Sequence, residues 1–333
     1  MGSFYIAQSD NYYLCIGKNY IGMTLQQLEY IIALDTHRHF SLAADKCFVT
    51  QPSLSAMVHK LESELGVKIF DRSKQPVAPT DVGTAIIAQA RQVLLEAERL
   101  RQIVRDQRET VSGELRIGII PTLAPYLLPL FLKSFAEQYT DVHVHLSELT
   151  TEQIVHLLKK DLLDVGIMAT PLEDAQLLEE PMFREEFSAY APHEASILEK
   201  RYLLAEDIDP NRLVLLEEGH CIRSQIINLC ALQQAQSTLN NISYEAGSLE
   251  TLRRLVEANA GITILPELAL LDLDEDQMQY VRFFKPPAPA REISLVMHRV
   301  FTKRRLVDVL KATIVHHLPE RLKKDKPLTV LKI

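Results

Sequence analysis

Between Met23 and Gly83 the chain is cut into short helical periods by connections too tight for anything but a small, mostly helical module. Leu25, Leu28, Ile31, Ile32 and Ala33 recur at helical spacing and predict a first amphipathic helix. Ser41 is read as the N-cap of a second helix carrying Leu42, Ala43 and Ala44. Thr50 or Gln51 then leads into Pro52, which suits the first helical position because its missing N–H would be unpaired there anyway. The third helix places Leu54, Val58, Leu61 and Leu65 on one face, and Gly66 ends it. Val67 to Thr80 reads as two short strands around Arg72 to Pro76, a wing.

Past Gly83 the rhythm changes. Ile86, Ala90, Val93, Ala97, Leu100 and Val104 alternate steps of four and three, the seam of a two-stranded coiled coil. A long helix is therefore expected to link the front module to the rest, with Ser112–Gly113 breaking it. Beyond it, strand patterns at Leu115–Ile120, Val142–Leu146, Asp164–Met168, Arg212–Leu216, Ile242–Ala246, Ile262–Leu265 and Ile293–His298 alternate with helical segments. That order argues for α/β architecture with largely parallel sheets. Such a length suggests two subdomains with a cleft between them, where ligands favour binding. The expected division is a doubtful N-terminal extension at 1–22, a winged helical module at 23–82, a linker helix at 83–111 and an α/β domain at 112–333.

Several functions are disfavoured. No strand leads into a Gly-rich dinucleotide or phosphate loop, and no Cys/His cluster has metal spacing, so no cofactor and no metal are expected. No run approaches the ~20 apolar residues of a membrane span, and no secretory signal opens the chain, so a cytoplasmic, nucleoid-associated protein is expected. Its four cysteines would then be reduced, and a disulfide would be regulatory. The net charge of −8 counts against nucleic-acid binding by the whole chain, but an acidic sensor domain can outweigh a small DNA-binding one. The basic clusters Lys303–Arg305 and Lys323, Lys324 and Lys326 read as solvated faces.

The segment from Phe40 through Ala43-Ala44, Gln51-Pro52-Ser53-Leu54-Ser55 and Lys60-Leu61-Glu62 to Phe70-Asp71-Arg72 closely resembles the winged helix-turn-helix of LysR-type regulators. The likeness continues to Thr80, Gly83 and the linker helix. The third helix presents Gln51, Pro52, Ser53, Ser55 and His59 near its N-terminal end, where a recognition helix meets base edges. Its first N–H groups can also hold a phosphate. Arg72, on the wing, is suited to backbone or minor-groove contact. Gln75 and Pro76 stand where family wings often carry further basic residues.

Two cysteines carry the other chemical signal. Cys221 follows a strand and Gly219–His220, so it is read as lying at a helix N-terminus, where the helix dipole and a nearby Arg or His would favour thiolate. Thiolate attacks peroxide to give sulfenic acid, which a second thiol can trap. Cys230 lies nine residues on, so an intact helix would hold the α-carbons about 13–14 Å apart on opposite faces. A disulfide needs them within ~7 Å. Helix and disulfide would then exclude each other, which makes a switch. Spacing alone favours reading both as small buried hydrophobes.

The stretch Leu215-Leu-Glu-Glu-Gly-His-Cys221 through Cys230 resembles the redox segment of OxyR-type peroxide sensors. So do Ile119-Ile-Pro-Thr122 through Pro129, and Ser248-Leu-Glu-Thr-Leu-Arg253 with Gly261 through Pro266. The resemblance implies a periplasmic-binding-protein-like regulatory domain of two subdomains. It makes Cys221 the peroxidatic and Cys230 the resolving cysteine. It also implies a peroxide pocket of Thr122, Thr151 (or Thr150), His220 and Arg299. Ser224 stands where relatives often have Asp. Cys47 is read as core, and Cys15 is given no role. The implied partners are promoter DNA, RNA polymerase, hydrogen peroxide, a cellular thiol reductant and a second copy of the chain, in a homodimer and a dimer of dimers. Two other readings stand beside this one. The same fold could sense a small co-inducer in the cleft, or the cysteine could serve a thiol peroxidase, which would leave the helix-turn-helix unexplained.

Overall fold

The computed structural model describes residues 22–106, 111–230, 238–239, 242–243, 246–299, 301, 303–324 and 326–333. The N-terminal extension with its Cys15 lies outside them, Gly22 excepted. The chain divides into two units, 1–107 and 108–333.

In the first unit α1 (Leu25–His37) starts at a capping box between Thr24 and Gln27. Helix α2 (Phe40–Lys46) follows, then α3 (Gln51–Leu65), capped by the Thr50 hydroxyl and ended by Gly66 at φ 69°. Thr50 is thus the N-cap, with Pro52 in the first turn. The expectation for α2 needs correction. His39 is its N-cap and gives no side-chain cap bond, while Ser41 already lies inside the helix. Strands β1 (Phe70–Asp71) and β2 (Ala78–Pro79) pair antiparallel as the wing. The core joins Leu28, Ile31, Leu34, Leu54, Val58 and Leu61, each side chain contributing about 1.5–3 kcal/mol by burial. Ile87 and Ala90 of α4 (Asp81–Asp106) complete it. The first turns of the linker helix therefore belong to the front module's core. Farther along the expected seam Leu100 is 68% exposed, and the Val104 side chain lies outside the described residues.

The second unit opens with β3 (Gly113–Ile119), α5 (Ala124–Gln138), β4 (Val142–Glu148), α6 (Thr151–Lys159) and β5 (Val165–Thr170). Strand β3 lies between β4 and β5, parallel to both. Strand β6 (Leu177–Tyr190) then runs through two half-sheets. A second lobe contains α7 (Cys221–Leu229), β7 (Thr238–Leu239), β8 (Ile242–Ser243), α8 (Leu249–Glu257), β9 (Thr263–Pro266), α9 (Glu275–Met278) and β10 (Val281–Phe283). Strand β11 (Ala288–His298) returns to the first lobe, followed by α10 (Arg304–His317), α11 (Glu320–Lys323) and β12 (Leu328–Val330). The first part of β6 pairs antiparallel with β11, and its last residues pair with β9 and β10. This is the expected two-lobed, periplasmic-binding-protein-like arrangement, with β6 common to both lobes.

The sheets are mixed rather than largely parallel, because β6 runs antiparallel to its neighbours and β11 runs antiparallel to β5 and β6 while pairing parallel with β12. Strand β6 was not legible in the sequence. Pro181 and its charged neighbours break the alternation a strand would show, and the proline sits at a bulge where pairing jumps from Ile293–Phe183 to Ser294–Pro181. The expected strand at Arg212–Leu216 is a short turn followed by single bridges, Leu213 to Ile262 and Leu216 to Ala246.

Candidate functional site

In the first unit Gln51, Pro52 and Ser53 are exposed on the opening turn of α3, and His59 is exposed farther along. Ser55 is half-buried. Arg72 turns back toward α3 instead of projecting from the wing. Its Nη2 donates to Glu62 Oε2 at 3.2 Å, its Nη1 lies 3.5 Å from Ser55 Oγ, and its cation is 5.2 Å from the centre of the Phe40 ring. Glu62 is the anchor: it is 3% exposed and also accepts the Ile69 and Phe70 backbone N–H groups at 2.9 and 3.2 Å. One buried carboxylate thus ties the wing to the recognition helix. On its own the residue looked like one more charge on a helix surface. A groove of about 490 Å³ lies here, with Ser41, Gln51, Arg72 and Lys74 among its lining residues.

In the second unit the chain makes a sharp approach to Cys221. Gly219 has φ 94°, and a Cβ there would lie 3.8 Å from Thr150 Cγ2. The loop before α7 therefore rests against the start of α6. His220 is the N-cap of α7, Cys221 its first residue and Cys230 its C-cap. The two thiols stand at opposite ends of one intact helix and are both free. Nine helical rises separate their α-carbons by about 13–14 Å, beyond disulfide reach.

Cys221 is 5% exposed. Burial pushes its thiol pKa up, while the Arg291 charge, the Thr151 hydroxyl and the Ile222 N–H pull it down. The net direction is upward, against the expected thiolate: at a buried sulfur desolvation outweighs a helix terminus and one cation. Burial likewise pushes Cys230 up to about 11. His220 is buried, and its pKa falls for that reason, opposed by Glu217, whose Oε1 lies 3.7 Å from Nε2. Burial also raises the Cys47 thiol, followed by the nearby Glu29 charge; this residue packs at the edge of the front core.

The two candidate threonines after β4 have different tasks. The Thr150 hydroxyl caps α6, accepting the Gln153 N–H at 3.4 Å. Thr151 Oγ1 is buried beside Cys221 without a hydrogen-bond partner of good geometry, although it is near enough to lower the thiol's pKa. A hydroxyl with unused donor and acceptor capacity next to a sulfur is what a small polar oxidant would bind. Thr122 is also buried, and its Oγ1 accepts from Arg291 Nη1 at 2.9 Å.

Arg299 is not part of this cluster. It is exposed just beyond β11, with its backbone N–H bonded to Gln176 O. The cation beside the sulfur is Arg291, near the start of β11. Its side chain and that of Glu185 on β6 are both 0% exposed, with Nε 2.8 Å from Glu185 Oε1. Glu185 Oε2 in turn accepts the Leu268 N–H at 2.9 Å. The sequence concealed Arg291 because the apolar pattern of its strand becomes clear only at Ile293, beyond Ala288-Pro289-Ala290. Among the described residues no group of side chains could hold a metal ion, and no helix is long and apolar enough to cross a membrane.

Residues 25–84 match the family described as bacterial regulatory helix-turn-helix proteins, lysR family, and residues 108–319 match the LysR substrate binding domain. The chain is 37% identical over 299 residues to a hydrogen peroxide-inducible genes activator of Pectobacterium carotovorum subsp. carotovorum, covering 89% of this chain and 97% of that one. It is 36% identical over 306 residues to the DNA-binding transcriptional dual regulator OxyR of Escherichia coli K12, covering 90% and 99%. Full-length OxyR from Pseudomonas aeruginosa, solved as a cysteine-to-aspartate variant, has a TM-score of 0.71 at 34% identity, covering 88% of this chain and 98% of that one.

Proposed function

The chain belongs to the LysR family of bacterial helix-turn-helix regulators, among its OxyR-type members, and on that premise we propose that it activates peroxide-inducible genes in response to oxidation of Cys221. The observation that carries this reading is the buried Cys221 at the start of α7, set between the Arg291 charge and the unpartnered Thr151 hydroxyl, with Cys230 at the far end of the same helix.

The chemistry balances as two displacements. The Cys221 thiolate attacks one oxygen of hydrogen peroxide, the O–O bond breaks, and the other oxygen leaves as hydroxide, giving sulfenic acid. Arg291 stabilises charge on the sulfur and on the departing oxygen, and the Thr151 and Thr122 hydroxyls orient the peroxide. The Cys230 sulfur then attacks the sulfenic sulfur. Its proton and the expelled hydroxide leave as water, and a disulfide forms. A cellular thiol returns both cysteines by two successive exchanges: the first forms a mixed disulfide, and a second thiol resolves it, so that the reductant leaves as its own disulfide. The second displacement requires α7 to open, so oxidation becomes a rearrangement of the second lobe. Promoter DNA is met by Gln51, Pro52, Ser53, Ser55 and His59, with Arg72 held against α3, and RNA polymerase receives the signal. Self-association runs through α4, whose seam carries the exposed Leu100.

Brief exposure of the purified protein to low peroxide, followed by peptide mass mapping, tests the reading. A Cys221–Cys230 link is expected; activation of the promoter without that link would refute it. The pocket has its own test. Thr151→Val removes the hydroxyl at nearly constant volume and is expected to slow Cys221 oxidation about tenfold or more. Stopped-flow oxidation at the wild-type rate would remove Thr151 from the pocket.

A further inference from the structure

We infer that Glu185 is a positioning residue for the sensor cysteine: by holding Arg291 on itself and Thr122, it withholds part of that cation from Cys221. The inference rests on the proposed role of Cys221 and adds a residue that sets its threshold.

The geometry is specific. Nε of Arg291 donates to Glu185 Oε1 at 2.8 Å, Nη1 to Thr122 Oγ1 at 2.9 Å and Nη2 to the Thr122 carbonyl at 3.2 Å. Those bonds fix the plane of the guanidinium between β6, β11 and the turn after β3. The Arg291 charge nevertheless reaches Cys221. Glu185 is itself held by the Leu268 N–H, so it cannot follow Arg291 toward the sulfur. Two buried opposite charges in contact project a weaker field than the cation alone. The sulfur thus receives the residue of an ion pair rather than a full positive charge.

Other charged groups nearby are engaged elsewhere. On the loop before α7, Glu217 faces His220. From α5, the Tyr126 hydroxyl donates to Glu250 at 3.2 Å, and Glu250 is paired with Arg253 on α8 at 2.6 Å. Tyr126 lies within the field of Arg291. Thr151 of α6 and the Ile222 N–H of α7 approach the sulfur without a formal charge. Among the described residues Arg291 is the cation whose charge reaches Cys221, and Glu185 is its counter-charge.

The experiment follows the ultraviolet absorbance of thiolate against pH, as the difference between each protein and its Cys221→Ser counterpart. Glu185→Gln is expected to move the Cys221 midpoint down by about one pH unit or more. Glu185→Asp keeps the charge but withdraws it from Arg291 by one methylene; it should move the midpoint the same way by less, and it decides the matter if the Gln protein does not fold. A purely structural Glu185 would release Arg291 and leave the midpoint unchanged or higher, and either result overturns the proposal. Because ionisation is read without peroxide, failure of the peroxide reading shows itself separately, as unreacted Cys221 in the wild-type protein.

Discussion

Cys221→Ser is expected to abolish the transcriptional response to peroxide while leaving the fold and promoter binding in place. Serine replaces sulfur by oxygen at a position that is 5% exposed, with little change in shape. It also suits the first turn of a helix, so α7 should persist. The stability cost of one altered buried polar atom is about 1 kcal/mol. The chemical cost is total, because a serine hydroxyl neither ionises near neutral pH nor forms a sulfenic acid. The variant should bind promoter DNA like the reduced wild type and show no new thiol linkage after peroxide. Reporter transcription with and without peroxide reads the outcome directly. Wild-type induction in this variant would transfer sensing to another group and favour a small co-inducer bound between the lobes.

The second large effect concerns the other unit. Gly83→Ala is expected to destabilise the DNA-binding module by about 3 kcal/mol or more, with loss of promoter binding. A Cβ at Gly83 would stand 1.9 Å from the Ile69 carbonyl oxygen and 2.8 Å from its carbon. Those are backbone atoms and cannot swing aside as a side chain could. The Ile69 carbonyl also accepts the Thr80 N–H at 2.9 Å, and the Thr80 hydroxyl accepts the Gly83 N–H at 2.9 Å. A methyl group would therefore separate α4 from the wing at the junction that starts the helix. Ile69 and Phe70 are held by Glu62 from the other side, so the strand cannot retreat without breaking those bonds. Thermal unfolding followed by circular dichroism and a promoter-binding titration measure the effect. The sulfenic-acid chemistry of the second unit should persist, since Gly83 belongs to the first. An unchanged melting curve would show that the wing can relax where the geometry says it cannot.

Much of the fold was legible because its signals are local. The entry into α3 at Thr50 or Gln51, the apolar stripe of that helix and the left-handed Gly66 that ends it are decided within a few residues of themselves. Strand β6 was hidden because its partners lie far along the chain, from Thr263 opposite Tyr190 to His298 opposite Leu177. Glu185 and Arg184 look like solvent-facing charges until Arg291 and Glu292 arrive beside them. The choice between Thr150 and Thr151 was closed to sequence for a similar reason. Adjacent hydroxyls are equivalent on paper, and only the start of α6 assigns one to capping and leaves the other by the sulfur.

Local patterning already carried a helix-turn-helix followed by a two-lobed α/β domain, and a helix start at Cys221 with Cys230 nine residues on. Helical periodicity and rise are properties of the local backbone, so spacing alone was enough to separate the two thiols. Packing between distant strands put Arg291, and not Arg299, within electrostatic reach of Cys221, set Glu185 against it, and pushed the buried thiol's pKa upward. Desolvation and Coulomb energy depend on burial and on through-space distance, and neither quantity exists until strands far apart in the chain have packed around the sulfur.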